Sequence, residues 1–588
     1  MSDLLKLPIG EEFFTSIRRK GFYYVDKTQM IADFMRNRGS VNLFTRPRRF
    51  GKSLNMDMFK SFLETGADPG LFEGLSIMRD TAVCDAHLGK YPVISVSFKD
   101  VDGSTFEKAL DSMSSILTEE ARRHAYLLES EKLSAIDKSY LQPLYSLELK
   151  ESTQRSALRL LSEMLAKHHG TNVVLLIDEY DVPLDKSWQK HYYTDMVEHI
   201  RLMFSKALKT NPFLEFAIIT GCLRVARESI FTGINNFEVN SISDTLFADS
   251  FGFTDEEVRG ILAYYQMPEQ FSILKEWYDG YCFGGHEIYC PWDVIKQVKK
   301  FLVSPKAPME PHWINSSSNY IVRDLMNNPS KSTQADIEML ISGEAITKAI
   351  APELTYADLD TEDEELRQTW LWSVLYATGY LTDQRRTDTT DYGTGKPDSR
   401  NNTEEMNFSA NGRMHRLVIP NREIREIFET QILSWFKRKV RKQTKEWSAF
   451  CDALFAGDAE KVEKCLNGFL EESISIRDTA ARKERKENFY HGILLGLLKA
   501  DGRLIIQSNA ESGIGYLDIK VIDPFRKIGC AIEVKYAENG NYDTACAEAM
   551  QQIEDNDYAA VLRKEDITVI HKYGISFYKK SCRVRHKQ

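Results

Sequence analysis

Largely apolar runs recur through the first half of this chain, and each is too short to be a helix. Val41, Leu43 and Phe44, then YPVISVSF at 91–98, the five residues Val173 to Ile177, the run 213–219, and NFEVNSI at 236–242 read as strands. A run apolar on consecutive positions is buried on both faces, which is the situation of a central parallel strand. The strands are predicted near 41–45, 93–98, 173–178, 214–220 and 237–242. Between them the apolar spacing is helical, as in 106–129. Strand alternating with helix predicts an α/β fold with a parallel sheet and helices on both faces. Ahead of the first strand, Tyr23 to Val25 reads as a further short strand and Lys27 to Arg36 as a helix.

From Phe253 the pattern becomes helical, opening with Thr254 and Glu257 at capping-box spacing. WYDGYCFGGHEIYCPW at 277–292, dense in aromatics and glycine, predicts a tight β-turn region, and residues 310–384 are read as helical. Arg385 to Asn407 has almost no apolar content and reads as an exposed β-hairpin loop. Leu433 to Phe450 carries Lys437, Arg438, Lys439, Arg441, Lys442 and Lys445 among Trp435, Phe436 and Trp447. On a helix this gives a basic and an aromatic face, either a solvated surface or one that tracks a phosphate backbone. The C-terminal part predicts a helix over 486–498, strands at 503–507, 515–522 and 529–536, a helix over 543–562 carrying Gln551, and a closing strand at 567–577.

Three places in this frame carry chemistry. SVNLFTRPRRFGKSL at 40–54 is strand, basic loop, Gly51-Lys52-Ser53, then helix, the order in which a phosphate-binding loop is built. Loop N–H groups and the helix N-terminus cradle phosphate oxygens, Lys52 neutralises their charge, and Ser53 Oγ can reach Mg²⁺. Glycine is expected at position 46 of that pattern, where this chain has Arg46. The strand at 173–178 delivers Asp178 and Glu179 at its C-terminal end, where open α/β sheets bind ligands. Asp178 is placed to hold Mg²⁺ and Glu179 to polarise an attacking water, with Thr220 at a neighbouring strand tip.

The third place lies near the C-terminus. Asp518 lies on one predicted strand, and Glu533 and Lys535 lie two apart on the next, so they face one side. Glu487 and His491 share a side of the preceding helix. Two carboxylates and a lysine converging in this way suit metal-assisted phosphodiester hydrolysis, with Asp518 and Glu533 as hard oxygen ligands for Mg²⁺. The same letters also fit an exposed cross-strand ion pair.

Composition narrows the partners. The 588 residues leave room for several domains, with 43% apolar and 28% charged residues as in ordinary globular proteins. No run approaches the ~18 apolar residues of a membrane span. The opening MSDLLKLPIGEEFF lacks the basic segment of a secretory signal. Nine dispersed cysteines without a C-x-x-C pair argue for reduced thiols in a cytoplasm and against a zinc site. The formal charge, 76 − 86 = −10, gives no general attraction to nucleic acid, so any such binding must rest on local basic patches.

RPRRFGKS, LLIDEYDVPL, TGCLRVARESIFTGINNFEV and WYDGYCFGG together resemble the bacterial and archaeal family of predicted AAA-like ATPases that carry a C-terminal nuclease-type domain. That family also lacks the first loop glycine. The resemblance implies an ASCE/AAA-like P-loop domain over 1–253 and a helical lid with a winged-helix-like module over 254–440. A PD-(D/E)XK nuclease-like α/β fold is implied over 441–588. It places Arg46, Arg48 and Arg49 in the phosphate loop and makes Arg224 and Arg227 candidates for an arginine acting on the γ-phosphate. The segment before the loop, with Pro291, is expected to pack near the base. The expected activity is ATP hydrolysis with Mg²⁺, joined to nuclease action on DNA or RNA. Glu179, Glu487, Asp518, Glu533 and Lys535 would be the catalytic set, with Gln551, Lys437, Arg438 and Arg441 toward nucleic acid. The alternative is a nucleotide-dependent switch whose nuclease-like domain only binds. A homo-oligomer is compatible with either.

Overall fold

Val41–Thr45 (β1) is buried at every position because it lies between two other strands. With Val93–Ser97 (β2), Val173–Asp178 (β3), Leu214–Gly221 (β4) and Phe237–Asn240 (β5) it forms a five-stranded sheet in the order β2-β3-β4-β1-β5, every pair parallel. All five predicted strands are present in the predicted positions. The structure is a computed structural model. It describes the chain except residues 1–3, 147, 210, 225–229, 232–233, 235–236, 314–329, 352–362, 385–407, 410–411, 430–443, 474–482, 499–503, 513–514 and 564–566. The predicted loop at 385–407, Arg227, and the basic residues Lys437, Arg438 and Arg441 therefore lie outside the described residues.

The strand order decides what can meet. β4 lies between β1 and β3, so the loop after β1 and the acids after β3 flank the β4 tip. Phe44 pairs with Thr220 and Thr45 with Gly221 on one side, and Ile177 pairs with Ile219 on the other. Helices Lys52–Leu63, Phe106–Arg123 and Glu151–His169 connect and cover the strands. Aromatic packing of Phe34 with Phe44, Phe59 and Phe216 fills the core beneath β1 and β4. Residues 23–25, read as a strand, run without strand pairing; the segment is tied down by a single bridge between Lys6 and Phe22.

The chain divides into two compact units, Met1–Val322 with Thr347–Glu423, and Arg323–Ile346 with Ile424–Gln588. It passes between them at 322/323, 346/347 and 423/424. In the first unit, helices Asp255–Tyr264, Phe271–Tyr278 and Pro291–Val303 pack around Leu262, Leu274, Tyr278 and Val294. The aromatic–glycine stretch forms the hairpin Tyr281–Phe283 (β6) and His286–Ile288 (β7). Gly280 enters it at φ +104, and a Cβ there would lie 1.9 Å from Pro420 O, so only glycine allows that approach. Ile346–Ile350 (β8), Thr382–Asp383 (β9), Phe408–Ser409 (β10) and Gly412–Val418 (β11) form a small sheet beside helix Glu364–Ala377.

The second unit is built on Ile505–Ser512 (β12), Gly515–Asp523 (β13), Ile528–Tyr536 (β14), Val569–Tyr578 (β15) and Ser581–Lys587 (β16), in that order. Only β14 and β15 run parallel, as a strand–helix–strand crossover requires. The helix expected over 543–562 is two pieces, Tyr542–Asp555 and Ala560–Arg563. Asp557 breaks it at φ +45, and Asn556 Nδ2 donates to Tyr558 Oη at 3.0 Å to hold the turn. β16 was missed from sequence, although Cys582 and Val584 are buried between exposed neighbours in strict alternation. Among the described residues no helix is long and apolar enough to cross a membrane.

One buried pair of acids joins helix Pro291–Val303 to the helical segment that follows β11. Asp293, in the first turn of Pro291–Val303, lies beside Glu423, and both are at most 1% exposed. Glu423 Oε1 accepts from Trp313 N at 2.7 Å. Burial, and for Glu423 the neighbouring Asp293 as well, raises both carboxyls far above the ordinary range. The native protein thus holds a proton that the unfolded chain releases above about pH 4, and the pair's favourable contribution is lost as pH rises through the raised values. Glu423→Gln keeps an oxygen for Trp313 N without needing that proton. Denaturant titrations should show the wild type losing about 1–3 kcal/mol relative to Glu423→Gln between about pH 5 and pH 8; parallel pH profiles would disprove the shared proton.

Candidate active sites

Gly51 stands at φ +85 and caps the helix Lys52–Leu63, a backbone conformation that turns the loop end toward its interior. Lys52 is 4% exposed, and its Nζ donates to Arg46 O and Pro47 O at 3.0 Å, with Cys222 Sγ at 3.5 Å. Burial pulls its pKa down, but Cys222, Glu179, Asp181 and Asp178 together carry it above its usual value, so the ammonium is secure. Ser53 Oγ donates to Asp178 Oδ2 at 2.6 Å, and Thr220 Oγ1 donates to Asp178 Oδ1. The residues read from three separate motifs thus meet at one carboxylate. Glu179 stands beside them at φ +52, its N–H donating to Thr220 Oγ1 at 3.3 Å. Burial, helped by Asp178 and Asp181 and opposed by Lys52, raises its pKa.

The three loop arginines, grouped by sequence, are separated by the structure. Arg46 was expected on phosphate and is instead fully buried. Its guanidinium donates to Thr45 O at 2.9 Å, Asn240 O at 2.8 Å and Phe247 O at 3.0 Å, and lies 4.8 Å over the Phe251 ring. The strand-end carbonyls take its donors, so it braces β1 against β5, and burial lowers its pKa to about 10. Arg49, at φ +72, stacks 4.5 Å from the Trp292 ring. Arg48 faces Asp185, Nη2 to Oδ2 at 3.6 Å. Arg224 is half-buried just beyond the β4 tip.

Sequence reading also overlooked Asp181 and Cys222. Asp181 Oδ2 accepts from Cys222 N at 2.8 Å and Leu223 N at 3.0 Å, fixing the chain after β4. An acid three residues after Asp178 was the visible signal. A cavity of about 610 Å³, open mouth included, lies against Gly51 and Leu54 and is walled by Pro8, Tyr23, Val25 and Pro291. The leading segment and Pro291 were both expected near the base, and both line this one cavity.

In the second unit, β13 and β14 pair antiparallel as far as Ile519 with Ile532, and the next residues are Asp518 and Glu533. Asp518 Oδ2 accepts from Val534 N at 2.8 Å, and Lys535 Nζ lies 3.3 Å from Glu533 Oε1. Glu487, on helix Lys483–Leu498, accepts from Tyr536 N at 3.1 Å, while His491 Nε2 contacts Asp518 O at 2.9 Å. Helix and strands therefore bring Glu487, Asp518, Glu533 and Lys535 together. Glu533 is 1% exposed, and its Oε2 finds no hydrogen-bond partner among the described residues. Burial and Asp518 raise its pKa against the pull of Lys535. Burial works against a charged Lys535, yet Glu533, Glu487 and Asp518 raise its pKa.

Gln551 is not brought in: it is exposed and its Nε2 donates to Asp555 Oδ1 at 2.6 Å one turn away. A further acidic group, Asp255, Asp279 and Glu287, is occupied by Lys275 Nζ at 2.8, 3.3 and 3.0 Å.

A phosphate loop after β1, an acid after β3 and a polar strand tip between them define a P-loop ATPase fold of the AAA-like class; the second unit carries the PD-(D/E)XK arrangement of acids and lysine. Comparisons with known proteins agree. Residues 8–231 match the family model described as predicted AAA-ATPase, and residues 485–587 match that of the PD-(D/E)XK nuclease superfamily. The chain is also 25% identical, over 98% of its length and 97% of the relative's, to an uncharacterized protein in the vnfD 5' region of Azotobacter chroococcum mcd 1.

The close packing at the β4 tip is testable. A Cβ on Gly221 would lie 2.7 Å from the Tyr180 ring and 2.9 Å from Asp181 Oδ1. Gly221→Ala should destabilise the protein by about 1–3 kcal/mol, as overpacking does, measured by chemical denaturation. An unchanged midpoint would mean that the tip is loosely packed.

Proposed function

We propose that this chain binds and hydrolyses ATP with Mg²⁺ at the first site and cleaves phosphodiester bonds of DNA or RNA at the second. The observation that carries the ATPase half is the carboxylate of Asp178 receiving both Ser53 and Thr220, with Lys52 and Glu179 alongside. Hydroxyl and carboxylate are hard oxygen donors, so Ser53 and Asp178 fit Mg²⁺, directly or through water. Bound there, the ion would neutralise developing phosphate charge. Lys52 would release Arg46 O and Pro47 O for phosphate oxygens, and the cavity beside Gly51 would take the base. Glu179 would orient a water, its raised pKa matching a group that must accept a proton.

At the second site, Asp518 and the unpartnered Oε2 of Glu533 fit a divalent ion. Such an ion would lower the pKa of a bound water. Lys535, kept protonated by three acids, would orient the water and offset charge on the phosphate. Glu487 would hold the end of β14 through Tyr536 N. The second reading is a nucleotide-dependent switch that binds without cutting; the formal charge of −10 favours it, because tight phosphate-backbone binding ordinarily uses a basic surface. Three chain passages between the units give a covalent route for coupling in either case.

Lys52→Ala should abolish ATP binding, while Glu179→Gln should retain it and lower turnover by about 10²–10⁴-fold. Full ATP affinity in the Lys52 variant, read by calorimetry, would remove the loop assignment.

Asp518→Ala and Lys535→Ala should each abolish metal-dependent cleavage of a mixed DNA and RNA panel with ATP hydrolysis intact. Wild-type protein that binds the panel without cutting it would select the switch. In coupled sites, nucleic-acid affinity of Asp518→Ala should differ by roughly five- to 150-fold between its empty, ADP and ATP states.

A further inference from the structure

The loop carries three arginines, and Arg46 and Arg49 are engaged away from any phosphate, with strand-end carbonyls and with Trp292. Arg48 is placed differently. Cys222, Asp181 and Glu179 all act electrostatically on its guanidinium, and the same three groups act on Lys52. Lys52 Nζ lies 3.5 Å from Cys222 Sγ, whose own N–H is held by Asp181. Arg48 is therefore a second cation on the side of the loop where Lys52 and Glu179 meet, the side of the terminal phosphate in the ATP reading.

Arg48 forms an ion pair with Asp185, on the helix Val182–Gln189 that follows the β3 acids. Asp185 is 9% exposed, and its Oδ1 finds no hydrogen-bond partner among the described residues. At 3.6 Å the pair is an ion pair without a hydrogen bond from Nη2 to Oδ2. A terminal phosphate offers a guanidinium more charge and paired oxygens for two parallel bonds, which a single carboxylate at this distance does not supply. Moving Arg48 to phosphate separates the pair and leaves Asp185 buried without its cation, a cost incurred only when a γ-phosphate is present to receive the arginine.

We propose that Arg48 is an arginine within the chain that contacts the γ-phosphate, and that Asp185 is the positioning residue that holds it in the empty and ADP states and so sets the preference for ATP over ADP. This rests on the ATP reading and adds to it a residue that discriminates the third phosphate. Asp185 touches no nucleotide; it acts by competing for Arg48.

The test uses the full chain and calorimetric affinities for ADP and a non-hydrolysable ATP analogue, with turnover measured in parallel. Arg48→Ala should leave ADP affinity within about threefold, cut the analogue-to-ADP affinity ratio by about tenfold or more, and reduce turnover about 10³-fold, at the low end for such arginines. Arg48→Lys should not restore the ratio, because an ammonium cannot make the paired contact. Asp185→Asn, equal in size and uncharged, should raise the ratio about five- to twentyfold, a change that a merely structural role would not produce. Arg48→Ala weakening both ligands equally, or a ratio unmoved in a folded Asp185→Asn protein, overturns the proposal. Should Asp185→Asn not fold, the Arg48→Ala ratio decides it. Wild-type protein that binds neither ligand overturns the ATP reading together with this one. Binding that Lys52→Ala removes, but whose ratio ignores Arg48 and Asp185, overturns this inference alone.

Discussion

The Asp178 carboxylate accepts two hydroxyls from two different connections, Ser53 from the loop after β1 and Thr220 from the tip of β4. A buried carboxylate must be satisfied on both oxygens, and here only the strand order can satisfy it. With β4 inserted between β1 and β3, the three strand ends lie side by side, which brings their polar residues within reach of one another. Gly221 follows from the same constraint, because Tyr180 and Asp181 occupy the space where a Cβ would point. Around this point the charges near the loop lysine, Glu179 and Cys222 act on one another, raising the pKa of each against or together with burial.

The second site solves a related problem on an antiparallel pair. Two acids on adjacent strands repel, and burial makes the repulsion stronger. Lys535, two residues from Glu533 on the same face, partly offsets it, and backbone N–H groups of Val534 and Tyr536 take up Asp518 and Glu487. One oxygen of Glu533 is left over. Its burial with no hydrogen-bond partner among the described residues is costly for stability alone.

Charge placement within the first unit follows a common logic. Arginines and acids that sequence would assign to one function are divided between bracing and chemistry by what lies within reach. Arg46 meets three carbonyls and becomes part of the core, whereas Arg48 faces the carboxylate of Asp185 at 3.6 Å. Asp293 and Glu423, far apart in sequence and outside any motif, share a buried site that joins helix Pro291–Val303 to the helical segment after β11.

Largely apolar runs were enough to place β1 to β4, because burial on both faces leaves no other pattern, whereas the partly exposed edge strand β5 shows only alternating apolar positions. Period-two placement was enough to put Glu533 and Lys535 on one face, because side chains alternate along any strand. The Gly51-Lys52-Ser53 turn and the acids ending β3 were likewise legible, since their chemistry depends on local spacing. What the chain could not disclose was partnership across the fold. The burial of Arg46 depends on Asn240 and Phe247, some two hundred residues away, and Asp185 pairs with Arg48 from a different loop. The edge strand β16 escaped notice because a short alternating stretch of charged residues at a chain end looks like solvent-exposed tail until a neighbouring strand pairs with it. Local periodicity is written in the residues themselves, whereas a buried polar group's partner is chosen by packing that only the assembled sheet provides.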